Sequence, residues 1–302
     1  MTAKRTIIGM VLIAVLVLQI GCTAQENPQD LEGTEDTGKT VMEEFSQLID
    51  NGAELSAVID FIDGNIDQVS AGNASLMLDQ LEKAQKENQP LLDAKFYSDE
   101  SIQVKLMELY GPQLGFELAD AEQVEHEEVR ALLLETRDTG YKVETAEGMF
   151  FPIIDYQFYQ QYSSYVTADM QEYMEIMATE SASVPAKDAA LVIGWDEVLA
   201  RALRQEKFIR LYPDSIKIEQ VKELYAKYVS FTLFGLNNTP LFSYDSNTMV
   251  DEAQTAYLKA AGSNEDGGYI QLVREYLQVL EENNYRLTEA VDQYRKNAYE
   301  SI

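Results

Sequence analysis

His126 is the one histidine in the chain and Cys22 the one cysteine. Those two counts remove most metal and nucleophile chemistry. His126 lies in Glu125-His126-Glu127-Glu128, on a helix predicted over residues 122–137. A helical zinc site needs a second imidazole about one turn away, and there is none. A single cysteine excludes an internal disulfide and any multi-thiolate zinc or iron–sulfur site. No Gly-x-Ser-x-Gly and no Gly-x-x-x-x-Gly-Lys-Ser/Thr occurs, and any Ser or Thr nucleophile would have to share the one histidine. Asn264-Glu265-Asp266-Gly267 could form part of a calcium loop only with Gly262 and Val273 as the first and twelfth ligands, which neither can be. What remains is carboxylate chemistry. Two of the 52 acidic side chains could act on a glycosidic bond if held roughly 5–10 Å apart, but spacing singles out no pair. Nothing in the sequence calls for a cofactor or a metal.

The strongest compositional feature is aromatic. Residues 150–173 hold eight of the chain's 30 aromatic residues, among them Tyr156, Tyr159, Tyr162 and Tyr165. A tyrosine offers an apolar ring and a polar tip, which suits glycan stacking and protein interfaces. Tyr156, Tyr159 and Tyr162 recur every three or four residues, so they share one face and one fate. Two fates are open: a core that joins strands to helices, which is the expectation, or an exposed binding platform that includes Tyr165. A second feature is basic. Arg201, Arg204, Lys207, Arg210, Lys217, Lys222 and Lys227 cluster in a chain whose net charge is −29. Internal pairing with acidic segments such as 120–128 is expected. The net charge argues against a nucleic-acid partner, which would need a broad basic face.

The N-terminus carries its own message. Lys4 and Arg5 precede an apolar run from Ile7 to Leu18, then Gln19-Ile20-Gly21-Cys22. That run is about a dozen residues, roughly 18 Å as a helix, short for a hydrocarbon core of about 30 Å. Charge, apolar run and small residue read as an export signal. With Cys22 directly after Gly21, the segment resembles the lipobox of bacterial lipoproteins. The family usually places leucine three before the cysteine; here Gln19 stands there and Leu18 one further back. The resemblance implies cleavage before Cys22 and diacylation of its thiol, giving a membrane anchor on the outer face of the cell membrane. Two acyl chains suffice for stable anchoring, where one is marginal. The stretch Gly140 to Tyr156, with Tyr-Lys-Val-Glu-Thr and Met-Phe-Phe-Pro-Ile-Ile-Asp within it, is similar to a segment of uncharacterised lipoproteins from spore-forming Gram-positive bacteria. That likeness implies no activity.

The elements that must position these residues are mostly helices. Residues 1–21 are the signal, 22–39 an acidic flexible tether, 40–137 an N-terminal helical half, and 138–302 a hairpin plus a larger C-terminal helical half. Thr40 to Glu43 has the capping-box pattern. Helices are expected near 53–63, 75–86, 99–109 and 122–137. Alternation over Tyr141–Thr145 predicts a strand; residues 146–148 can turn and Met149–Ile154 can return as the second strand of one β-hairpin, with Pro152 confining that strand to an edge. Further helices follow. The clearest stripe is Tyr269, Leu272, Val273, Tyr276, Leu277 and Leu280. The fold class is therefore mainly α, a helical array or bundle with one small hairpin near 141–154. A substrate-binding lipoprotein of a transporter would need two α/β lobes, and strands are too few. The expected function is binding or scaffolding at the cell surface, with a surface protein or wall glycan as partner. The alternative is a wall-glycan enzyme using a carboxylate pair.

Overall fold

The computed structural model describes residues 28–111 and 115–302. Cys22 and the signal segment lie outside them. The described chain is mainly α-helical, with three small two-stranded antiparallel sheets. Its helices are α1 (Pro28–Asp50), α2 (Leu55–Asn65), α3 (Ala71–Phe96), α4 (Glu100–Tyr110), α5 (Glu127–Asp138), α6 (Ala168–Ala182), α7 (Trp195–Leu211), α8 (Ile218–Phe234), α9 (Asp251–Ala261), α10 (Gly268–Glu282) and α11 (Glu289–Glu300). The hairpin pairs β1 (Tyr141–Ala146) with β2 (Met149–Ile154), Tyr141 opposite Ile154 and Val143 opposite Pro152. In a two-stranded sheet both strands are edges, so Pro152 is tolerated there. Gly140 enters the hairpin at φ +75°, and a Cβ there would stand 2.5 Å from Gln85 Nε2 and 3.1 Å from the Phe158 ring. Only glycine fits both constraints. Among the described residues no helix is long and apolar enough to cross a membrane.

Two apolar cores organise the molecule. The first draws on α1–α6 and the hairpin, with Phe45, Ile62, Met77, Leu81, Leu106 and Leu133 buried in it. The second draws on α7–α11, with Val198, Tyr228, Tyr257, Val273, Tyr276 and Leu280 inside. The seam runs along α7 and α8. Phe208 and Val221 belong to the first core while Leu199 and Tyr228 belong to the second, and Leu224 packs on both. The hairpin and α6, expected to open the C-terminal half, thus pack with the N-terminal helices. α10 buries Tyr269, Ile270, Val273, Tyr276, Leu277 and Leu280 on one face. Thr288 caps α11 through the Val291 amide, worth about 1 kcal/mol.

Several elements depart from the sequence pattern. α1 starts at Pro28, so residues 28–39 are helical rather than tether, and Thr40 lies inside the helix rather than at its start. α3 runs past Lys86 and through Pro90 to Phe96. Proline forfeits one backbone bond, at a cost of about 3 kcal/mol. Burial of Leu92 and Phe96 beyond it offsets that cost, at roughly 1.5–3 kcal/mol per side chain. The single expected hairpin is joined by two minimal ladders. These are β3 (Ala186–Lys187) with β4 (Ala190–Leu191), and β5 (Gly235–Leu236) with β6 (Thr239–Pro240). Two-residue strands are too short to show any period.

Candidate functional site

The tyrosine segment turns inward. Phe158–Tyr162 is a 3-10 turn, whose three-residue period stacks Tyr159 and Tyr162 on one side. Tyr156, Tyr159 and Tyr162 are 6%, 2% and 3% exposed. Tyr156 stacks on Tyr159 with ring centroids 5.5 Å apart, and Tyr173 meets Tyr156 edge-on at 6.4 Å. Buried hydroxyls need partners, and α3 supplies them. The Tyr156 and Tyr173 hydroxyls donate to Glu82 Oε1, each at 2.6 Å. Tyr159 donates to Gln85 Oε1 at 2.5 Å, and Tyr141 to the Gln85 carbonyl. Tyr162 donates to Asp63 at 2.7 Å. The three are core residues, and the platform fate falls away for them. Tyr165, 40% exposed, is the one candidate of the four left at the surface.

Asp79, Glu82 and Gln85 form a buried polar stripe on α3. Lys217, just before α8 and 1% exposed, reaches it from the far side. Its ammonium donates to Asp79 Oδ1 at 2.5 Å and to Glu82 Oε2, and lies 4.9 Å from the Tyr173 ring centroid. Lys83 and Lys86 pair with the same carboxylates from the solvent side, each at 2.7 Å. Burial alone would raise the Glu82 carboxyl. Lys217 and Lys86 outweigh it and hold the group down to about 2. Asp79 is lowered in the same sense, burial again being overcome by Lys217 and Lys83.

The basic run pairs internally, though not with residues 120–128. Arg204 meets Glu172 at 2.7 Å and Glu175 at 3.3 Å, Lys222 meets Glu219 at 2.8 Å, and Lys217 meets α3. Leu118–Gln123 form a 3-10 turn, and the helix expected from residue 122 begins only at Glu127, where His126 Nδ1 accepts from the Val129 amide at 3.4 Å. That makes His126 a helix cap. Among the described residues no three His, Cys, Asp or Glu side chains converge as a metal site.

At the seam between the cores lies a second buried cluster. Arg201 of α7 is 6% exposed. Its Nε donates to Glu197 Oε1 at 2.8 Å; its Nη1 donates to Glu180 Oε1, the Ser183 carbonyl and the Tyr228 hydroxyl. Among the described residues all four hydrogen bonds leave from Nε and Nη1, and Nη2 makes none. Tyr228 donates to Glu180 at 2.7 Å. Burial raises the Glu180 carboxyl above its ordinary value against the pull of Tyr228 and Arg201. Above this cluster opens a cleft of about 590 Å³, within the range of small-molecule sites. Arg201, Glu175 and Glu197 line it with Gln157, Gln160, Thr179 and Ser183; Ala178, Ala182, Val192 and Ile193 supply its apolar surface. Gln160 Nε2 is buried with no hydrogen-bond partner. Gln205, one turn beyond Arg201 and 1% exposed, also has neither amide atom paired.

The aromatic segment that density marks in the sequence borders this cleft, whose own lining the sequence does not mark. Gln157 and Gln160 alternate with the tyrosines that were singled out, and they face the other way. That offset was the available signal. Glu180 has none, and Arg201 stands out only as one member of the basic run, because one paired charge among many has no mark of its own. Comparison with protein-family models, with curated proteins and with solved structures finds no match for this chain.

Proposed function

We propose that the chain is a lipid-anchored lipoprotein on the outer face of the cell membrane that works by binding another surface component. The observation that carries the binding half is the seam cleft. It gathers amide, hydroxyl, guanidinium and carboxylate side chains, which serve for recognition by hydrogen bonding. The wall-glycan enzyme would call for an open cleft lined by the aromatics of residues 150–173; Phe150, Tyr156, Tyr159, Tyr162 and Tyr173 are packed inside instead. The anchoring half rests on Cys22 following Lys4-Arg5, the apolar run and Gly21. The folded body, two charges more negative once Lys4 and Arg5 are removed, stands off anionic lipid by repulsion over about 8 Å.

Cys22→Ser tests the proposal. In detergent partitioning of cell fractions, the wild-type chain is expected in the detergent phase and accessible to protease on intact cells. The variant is expected to leave that phase, as a released protein, or to persist as uncleaved precursor. A variant that is processed and membrane-bound like wild type would overturn the anchor.

A further inference from the structure

We propose that the seam cleft binds an N-acetylated sugar, with Arg201 and Gln160 donating to its acetamido carbonyl and Glu197 accepting its acetamido N–H. The proposal deepens the surface-binding reading above and rests on it for the ligand's source, the wall glycan. The chemistry comes from the cleft itself. Among the described residues two of its polar groups are nitrogen donors without a protein acceptor: Arg201 Nη2, which makes none of that residue's four hydrogen bonds and is open to solvent, and Gln160 Nε2, which alone of the two is buried. A buried donor left unsatisfied is costly, so an acceptor supplied by a ligand is favoured. A small rotation about the last torsion of Gln160, which is soft for an sp2 terminus, turns its amide into the cleft.

The charge of the surroundings selects among acceptors. A cation offers these donors nothing. An anion offers an acceptor but approaches a chain of net charge −29 and meets Glu175 and Glu197 at the cleft. A neutral carbonyl meets neither objection. Glu197 completes the match. Its Oε1 takes the Arg201 Nε–H, which leaves Oε2 for an N–H beside that carbonyl. A carbonyl and an N–H side by side are an amide. Thr179 and Gln157 stand in the same lining and suit ring hydroxyls. A peptide amide fits less well. The apolar lining is limited to alanine, valine and isoleucine, with no aromatic or leucine side chain to receive a large apolar residue. The nearby Val192 amide, which a peptide strand would need, already donates to the Pro185 carbonyl.

The test is calorimetric titration of the full chain, purified in detergent, with the trisaccharide of N-acetylglucosamine. Cellotriose carries a hydroxyl in place of each acetamido group and is also neutral. A capped alanine tripeptide supplies the amide without the sugar. The N-acetylated trimer is expected to bind at least about tenfold more tightly than either, the margin of one or two buried hydrogen bonds. Gln160→Leu is expected to weaken the trimer about tenfold while leaving the Tm equal or higher, because an unpaired buried amide has been removed. Glu197→Gln is the second probe. It keeps an acceptor oxygen for Arg201 Nε and replaces the second carboxylate oxygen by an amide donor, so it too is expected to weaken the trimer. No binding at millimolar trimer, equal binding of cellotriose, preference for the tripeptide, or undiminished affinity in both variants would overturn the proposal. A chain that stays anchored through Cys22 yet takes no trimer defeats this ligand and leaves the anchor standing. A chain that binds the trimer without being anchored does the reverse.

Discussion

Replacing Lys217 by methionine is expected to destabilise the fold by about 3–5 kcal/mol, the cost of stranding buried charge. Methionine fills much of the same volume, so packing is nearly conserved and the loss is electrostatic. The cations left to Asp79 and Glu82 would be Lys83 and Lys86, which reach them from the solvent side and are 53% and 47% exposed. The expected loss is a large part of an ordinary domain's 5–15 kcal/mol. Urea unfolding at neutral pH measures it. The pH dependence gives an independent check with a definite sign. A carboxyl held down from 4.5 to about 2 contributes about 3 kcal/mol to folding at neutral pH. That contribution is complete above about pH 5, and it is lost as pH falls through 4.5 toward 2. Asp79 adds a loss of the same sign. Wild-type stability should therefore fall steeply across this window, and the gap between wild type and Lys217→Met should close. A midpoint that the substitution leaves unmoved at pH 7 would contradict the buried cluster.

Tyr159→Ala is expected to cost about 3–5 kcal/mol, as for other buried aromatic truncations. The ring is 2% exposed and packs on Tyr156 and Phe158, and its hydroxyl is the donor to Gln85 Oε1. Tyr159→Phe separates the two contributions. It keeps the ring and strands one acceptor, so about 1–3 kcal/mol of the cost should remain. Tyr165→Ala is the internal control. That side chain is 40% exposed, and its removal should stay within about 0.5 kcal/mol. Equal urea midpoints for Tyr159→Ala and wild type would return the segment to the surface and restore it as a binding platform.

The legibility of this chain follows the range of the interaction involved. α10 is visible because its buried face repeats over four turns. The hairpin is visible from alternation over Tyr141–Thr145 followed by turn residues at 146–148. Each signal is local. α3 was cut short at Lys86 because Pro90 is a local stop sign, while Leu92 and Phe96, which carry the helix past it, act through tertiary packing. The polar stripe of Asp79, Glu82 and Gln85 was invisible for the same reason. At helical spacing it reads as a solvated face. Only the approach of Lys217 from far along the chain makes it interior. The tyrosines were flagged by density, and their fate as core was the expectation. The cleft beside them joins the turn at Phe158–Tyr162, α6 and the first turns of α7, and no single window of sequence contains it.

The mass of the mature N-terminus tests the central claim most directly. Lipoprotein processing at Gly21-Cys22 predicts that the chain isolated from membranes begins at Cys22, and that its N-terminal peptide carries a thioether-linked diacylglycerol. Mass spectrometry of that peptide reads both features at once. A peptide beginning at Cys22 with the lipid mass is the predicted result. A chain that begins elsewhere, or an unmodified Cys22 in the membrane fraction, would contradict the account.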